Sequence, residues 1–171
     1  MRRSLLTVVC LLAVPASVSA QPALLVGGGL TSPTGALGDQ ADSGYHARLG
    51  ARVGIPTLPV AVRLDGSYHR MGEANATLEP TTVTAGALSV VFFLPGVALR
   101  PYVLGGVDRY RVKAGSLGAS VTRYRNGFHA GFGVSLGALA FGGFAELRYT
   151  RIDTPTGDDL AYLPLTIGFR L

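Results

Sequence analysis

Asp65, Ser67 and His69 stand at every second position of one alternating stretch, so a strand there puts a carboxylate, a hydroxyl and an imidazole on one face. Those three groups could in principle form a nucleophile, a base and an orienting acid. Such a relay needs hydrogen-bond contact, and three neighbours spaced this way span about 13 Å at ~3.3 Å per residue. His69 therefore reads as a polar residue facing an interior near a rim, not as a catalytic base. A second set is larger: Arg48, Arg52, Arg63, Arg148 and Arg170 share the parity of Asp65 and Glu146 in their segments. Guanidinium forks pair with carboxylates through two parallel hydrogen bonds, so this set could build an interior ionic network. Five cations against two anions leave a positive excess, which loop carboxylates such as Asp39, Asp42, Asp158 or Asp159 could offset. No metal-ligand cluster or phosphate loop is present, and Gly27-Gly28-Gly29 reads as strand packing. No catalytic residue, cofactor or metal is expected.

The elements that must position these groups are strands. Period-two segments recur at 23–31, 44–54, 60–70, 82–93, 99–111, 126–137, 142–152 and 162–171. Each is near the roughly 9–11 residues that cross a bilayer at a tilt. The connections alternate in length. Those at 32–43, 71–81, 112–125 and 153–161 are long, and those at 55–59, 94–98 and 138–141 are short. An up-and-down barrel with both termini on one side produces that rhythm.

Alternation assigns the faces. The segment 60–70 places Val60, Val62, Leu64, Gly66 and Tyr68 opposite Ala61, Arg63, Asp65, Ser67 and His69. The segments at 44–54, 126–137 and 162–171 keep every charge off their apolar face, and in 142–152 Ala145, Leu147 and Tyr149 stand opposite Glu146, Arg148 and Thr150. An arginine facing lipid at mid-depth costs about 2–4 kcal/mol, which explains the segregation. The segments at 23–31, 82–93 and 99–111 are less regular, and the fourth switches phase near Leu88. Tyr45, Tyr68, Tyr110, Phe128, Tyr149 and Tyr162 fall at the long-loop ends of their strands. Phe93, Tyr102, Phe141 and Phe169 fall near the short-turn ends. Two aromatic girdles are expected from that distribution.

Composition agrees. Arg2 and Arg3 precede an apolar run from Leu5 to Val14, and Ala16-Ser-Val-Ser-Ala20 supplies small residues for cleavage. Residues 1–20 read as a signal peptide and 21–171 as one barrel domain. The single cysteine, Cys10, leaves with the signal, so a disulfide-stapled scaffold is excluded. Loss of Arg2 and Arg3 takes the net charge from +5 to +3, too mild to argue for nucleic acid. The uncharged runs at 81–99 and 130–145 are interrupted by glycine, which argues against helical spans.

Three stretches carry a family resemblance: Arg100-Pro-Tyr-Val-Leu-Gly-Gly-Val107, Gly143-Phe-Ala-Glu-Leu-Arg-Tyr149 and Leu165-Thr-Ile-Gly-Phe-Arg-Leu171. With them the chain resembles the small eight-stranded outer-membrane barrels of the outer membrane protein A β-barrel domain type. The resemblance implies an all-β, eight-stranded antiparallel up-and-down transmembrane barrel in the outer membrane of a Gram-negative-type bacterium. It also implies contact with the barrel-assembly machinery through the C-terminal strand. Members typically end in an aromatic residue; this chain ends in Leu171, with Phe169 two positions earlier.

Eight strands leave a lumen just wide enough for side chains to fill. The expected role is therefore structural or surface-interacting, with a polar network plugging the lumen. A narrow small-solute channel and a lipid A-modifying enzyme are the alternatives. Arg109, Arg111, Lys113, Arg123 and Arg125 flank the third long connection and could contact the phosphates of surface lipopolysaccharide.

Overall fold

A computed structural model describes residues 22–39, 41–73, 81–116, 119–137, 142–154 and 160–171. The expected signal peptide at 1–20 lies outside them. The strands are β1 (Pro22–Gly35), β2 (Ala41–Gly54), β3 (Val60–Glu73), β4 (Thr81–Phe93), β5 (Leu99–Ser116), β6 (Ala119–Leu136), β7 (Gly142–Ile152) and β8 (Leu160–Arg170). Each pairs antiparallel with the next, and β8 returns to β1, so the sheet is a closed barrel. At the seam Leu24 and Leu171 exchange two backbone hydrogen bonds of 2.9 Å. Closure removes every sheet edge, which is what allows strands to cross hydrocarbon.

The apolar face points outward. Leu24, Leu49, Leu64, Phe132, Ile167 and Phe169 are between 54% and 70% exposed. A contiguous belt of that kind is unstable in water and matches the lipid-facing band of a membrane barrel. Among the described residues no helix is long and apolar enough to cross a membrane.

The strands run further than the apolar alternation does, and mainly at the long-loop end. β5 continues to Ser116 and β6 begins at Ala119, so most of the expected third loop is a hairpin. Beyond the lipid both faces meet water, so the period-two signal fades while the backbone ladder continues. The expected phase switch in β4 does not occur. Val83, Ala85, Ala87, Ser89 and Val91 face inward without interruption, and the register against β3 and β5 carries no bulge. The strand is apolar on both faces, so its alternation could not be read.

Inside, the lumen is layered. At the turn end Ala61, Val91, Tyr102 and Leu104 form an apolar cluster with Phe93 against it. At the loop end Leu37, Ala41, Met71, Val83, Ala85, Tyr110, Ile152 and Tyr162 form another. Between the two lie the buried charged and polar side chains.

Candidate functional site: the polar core of the barrel

Glu146, on β7, is the hub. Its Oε1 accepts from Arg48 Nη1 at 2.6 Å, Arg148 Nε at 2.6 Å and Arg63 Nη2 at 3.0 Å. Its Oε2 accepts from Arg63 Nη1 and from the Tyr102 hydroxyl, both at 2.8 Å. Asp65 is the second acceptor. It takes Arg63 Nε on both oxygens at 2.9 and 2.8 Å, and Arg148 Nη2 on Oδ2 at 2.9 Å. β2, β3, β5 and β7 each contribute, so the network crosses the lumen and ties distant strands together. Every member is buried. Burying such charges is costly unless both signs are present and hydrogen-bonded, and here they are.

Glycines on neighbouring strands make the room. A Cβ at Gly133 would run into the ring and hydroxyl of Tyr102, and one at Gly50 would strike the Asp65 carboxylate. The large polar side chains lie flat over these positions and reach across the lumen.

Two histidine clusters extend the core. Thr31 Oγ1 lies 3.0 Å from Nδ1 of both His46 and His69. A threonine hydroxyl donates one proton, so one imidazole accepts from it and the other donates to it. His46 Nε2 reaches Thr166 Oγ1 at 2.9 Å, and His69 Nε2 reaches Ser67 Oγ at 3.1 Å. The two rings stack at 5.0 Å. Ser67 and His69 therefore touch, but Asp65 is engaged by arginines and Thr31 holds the other ring nitrogen of His69. No relay forms there.

A relay-like chain does form elsewhere. His129 Nδ1 lies 2.8 Å from Asp108 Oδ2, and its Nε2 lies 2.9 Å from Ser89 Oγ. The geometry matches a serine nucleophile, base and orienter. Ser89 is 1% exposed, so no substrate carbonyl reaches its Oγ in this arrangement. The chain works as buried hydrogen-bond satisfaction. The sequence missed it because β4 and β5, which carry Ser89 and Asp108, gave no clear phase. Asp108 also alters the charge balance. Among the described residues the buried charges are Arg48, Arg63 and Arg148 against Asp65, Asp108 and Glu146, three of each sign. Asp39 and Asp42, considered as compensating loop carboxylates, are exposed, and Asp158 and Asp159 lie outside the described residues.

Arg52 and Arg170 do not join this core. Both are half-buried at the turn-end mouth, where Arg52 lies 4.9 Å from the centre of the Phe93 ring. The aromatic set also divides. Tyr45, Tyr68, Phe128, Tyr149 and Phe169 are exposed on the outer face. Tyr110 and Tyr162 are not girdle residues. They are 1% and 2% exposed inside the barrel, with ring centres 6.4 Å apart. Phe93 and Tyr102 also point inward, and Phe141 lies outside the described residues. Proximity to a strand end does not fix a side chain's face; parity does, and the inward parity of β5 was hidden by its glycines.

On the outer wall a groove of about 730 Å³ runs between Leu64, Leu88, Val107 and Phe128 and ends at Arg109, Asn126 and Asp153, where Arg109 Nη1 donates to Asn126 Oδ1. Arg109, Arg111 and Lys113 follow one another on the outer face of β5, all exposed. Arg123 and Arg125 occupy the other face of β6.

No curated protein matches the chain by sequence. Several solved structures share the architecture. Neisserial surface protein A superposes with a TM-score of 0.75 at 16% identity, covering 88% of this chain and 96% of that one. Ail, the attachment invasion locus protein of Yersinia pestis, gives 0.62 at 17% identity over 89% and 99%. The N-terminal β-barrel domain of OprF from Pseudomonas aeruginosa gives 0.55 at 18% over 89% and 98%. At these identities the likeness is one of fold. The family model for the outer membrane protein beta-barrel domain matches residues 4–170. With the closed eight-stranded barrel and its lipid-facing belt, that match places the chain in the outer membrane protein β-barrel domain family of Gram-negative bacteria.

Proposed function

We propose that this outer-membrane barrel is a structural and surface-interacting protein whose lumen is closed, and that it is neither a channel nor an enzyme. The observation that carries the reading is the balanced ionic core lying between two apolar layers. An ion entering the lumen would have to break contacts to Glu146 or Asp65 and then cross an apolar layer. Both steps are costly without replacement partners. Planar-bilayer recording of the refolded protein tests this. A silent baseline is expected, and stable unitary steps would overturn the closed-lumen reading.

The outer groove supports a surface role at the lipid level. Its apolar length suits an acyl chain, and the excess of Arg109, Arg111 and Lys113 over Asp153 at and beyond its end suits a phosphate. The partner this favours is the lipopolysaccharide of the outer leaflet. Lipopolysaccharide is expected to raise the unfolding temperature of the refolded barrel, and Arg109→Glu with Arg111→Glu to abolish that gain. An equal gain in the double variant would remove the partner. Strand β8, closed on β1 through Leu171, is the segment proposed to meet the barrel-assembly machinery.

A further inference from the structure

The short connections at the turn end differ in composition from every long one. Ile55-Pro-Thr-Leu-Pro59, Leu94-Pro-Gly-Val-Ala98 and Ala138-Leu-Ala-Phe141 hold no charged residue and a single hydroxyl, that of Thr57, whereas each long connection carries charge. The third turn lies outside the described residues. In the first two, Val97 is 99% exposed, Leu58 57%, Ile55 41% and Leu94 40%, an apolar surface that water does not favour. These side chains continue the outer belt without a polar break. On the lipid-facing parity Val53 leads into Ile55 at the end of β2, Phe92 into Leu94 after β4, and Val97 into Leu99 at the start of β5. Backbone polarity is hidden as well. Pro56, Pro59 and Pro95 have no N–H, and the amides of Ile55, Leu58 and Leu94 donate to the carbonyls of Val60, Ile55 and Pro101 at 2.8, 3.2 and 2.8 Å. The charged groups of this end stand elsewhere. Arg52 and Arg100 lie over the inward Phe93 ring at 4.9 and 5.0 Å, Arg170 lines the same mouth, and the carboxylate of Leu171 is at the β1–β8 seam.

From this we propose that the turns at 55–59 and 94–98 are a lipid-binding surface, inserted in the membrane where phospholipid acyl chains meet glycerol. In outer-membrane barrels the short turns are on the periplasmic side, so the leaflet concerned is the inner one. Charged side chains and unpaired backbone amides are what keep a turn out of lipid, and these turns have none of the first and few of the second. Lipid is the occupant, not a protein, because the surface is continuous with the lipid-facing belt. A protein-docking patch would be set off from that belt by a polar rim. The arginines of the mouth are compatible with this depth, since their long stems can carry the guanidinium groups to the water of the headgroups. The barrel is thus seated low in the membrane. Its turn end offers no water-exposed apolar platform, and contact with soluble partners is left to the loop end.

Residues 21–171 contain neither tryptophan nor cysteine, so single reporters can be placed without background. Val97→Trp and Leu58→Trp are refolded into phosphatidylcholine vesicles whose acyl chains are unlabelled, brominated near glycerol, or brominated near the terminal methyl group. Leu64→Trp on the lipid-facing belt and Thr122→Trp on the β5–β6 hairpin serve as the lipid and water references. Both turn variants are expected to emit at shorter wavelength than Thr122→Trp. They should also be quenched more by the shallow bromines than by the deep ones, the reverse of the order for Leu64→Trp. Emission and quenching equal to those of Thr122→Trp overturn the proposal. Tryptophan itself favours the interface, so Val97→Cys supplies a reporter without that bias. In nanodiscs, where both faces meet water, a charged thiol reagent is expected to label it much more slowly than Thr122→Cys. Equal labelling rates overturn the proposal whatever the tryptophan variants show. A gel-shift assay of unboiled samples checks folding in each case, and Val97 is so exposed that its variants have little native packing to lose.

Discussion

Glu146 accepts five hydrogen bonds from three arginines and a tyrosine, so its removal leaves guanidinium groups facing one another without a counter-charge. Glu146→Ala is therefore expected to destabilise the barrel by about 3–5 kcal/mol, the usual loss when one partner of a buried ion pair is deleted. Urea unfolding in lipid vesicles measures it, and an unchanged midpoint would mean the carboxylate is not inward-paired. This hub was legible in the sequence, because Glu146, Arg148, Arg63 and Asp65 lie on strands with clean alternation. Asp108 and Ser89 were not, because inward Leu104 and Gly106 on β5 and inward Val83, Ala85 and Ala87 on β4 look like lipid-facing residues. Tyr110 and Tyr162 were misassigned for a related reason: an aromatic residue at a strand end suits a lumen cap as well as a girdle.

At the scale of elements, the connection after β2 carries a strained residue. Thr57 has φ of 68° in the turn closed by the Leu58 amide donating to the Ile55 carbonyl at 3.2 Å. A β-branched residue in the left-handed region costs about 1–2 kcal/mol, whereas glycine adopts it freely at some entropic cost. Thr57→Gly is expected to raise stability by about 0.5–1 kcal/mol in the same urea assay, and a loss of stability would contradict the turn geometry. On β3 the lipid-facing residue Leu64 lies well inside the strand, 62% exposed between inward Arg63 and Asp65. Leu64→Arg is expected to cost about 2–4 kcal/mol in a bilayer, and a neutral result would place that face out of hydrocarbon. Strand number, order and the turn-end boundaries were readable, since the short turns, two of them carrying proline and the third flanked by Gly137 and Gly142, lie close to the lipid boundary. The loop-end boundaries were not, since hydrogen bonding between β5 and β6 continues after alternation has lost its meaning.

Across the whole molecule, charge and polarity are sorted along the barrel axis. An arginine-lined mouth lies at the turn end, then an apolar layer, a balanced ionic and histidine core, and a second apolar layer toward the loops. The expected five-to-two excess of inward cations is thereby resolved: three arginines are matched in the core by Asp65, Glu146 and Asp108, and Arg52 and Arg170 stand outside it. Such a core holds the wall together from inside and leaves water little room. Hydrogen exchange of the arginine side chains, followed by NMR on the refolded barrel in nanodiscs, tests that claim most directly. The Nε–H protons of Arg63 and Arg148 donate to Asp65 and Glu146 in the core, and resolved signals that exchange slowly with solvent are expected for both. Exchange as fast as that of the exposed Arg111 would mean that water fills the lumen and that the barrel is open.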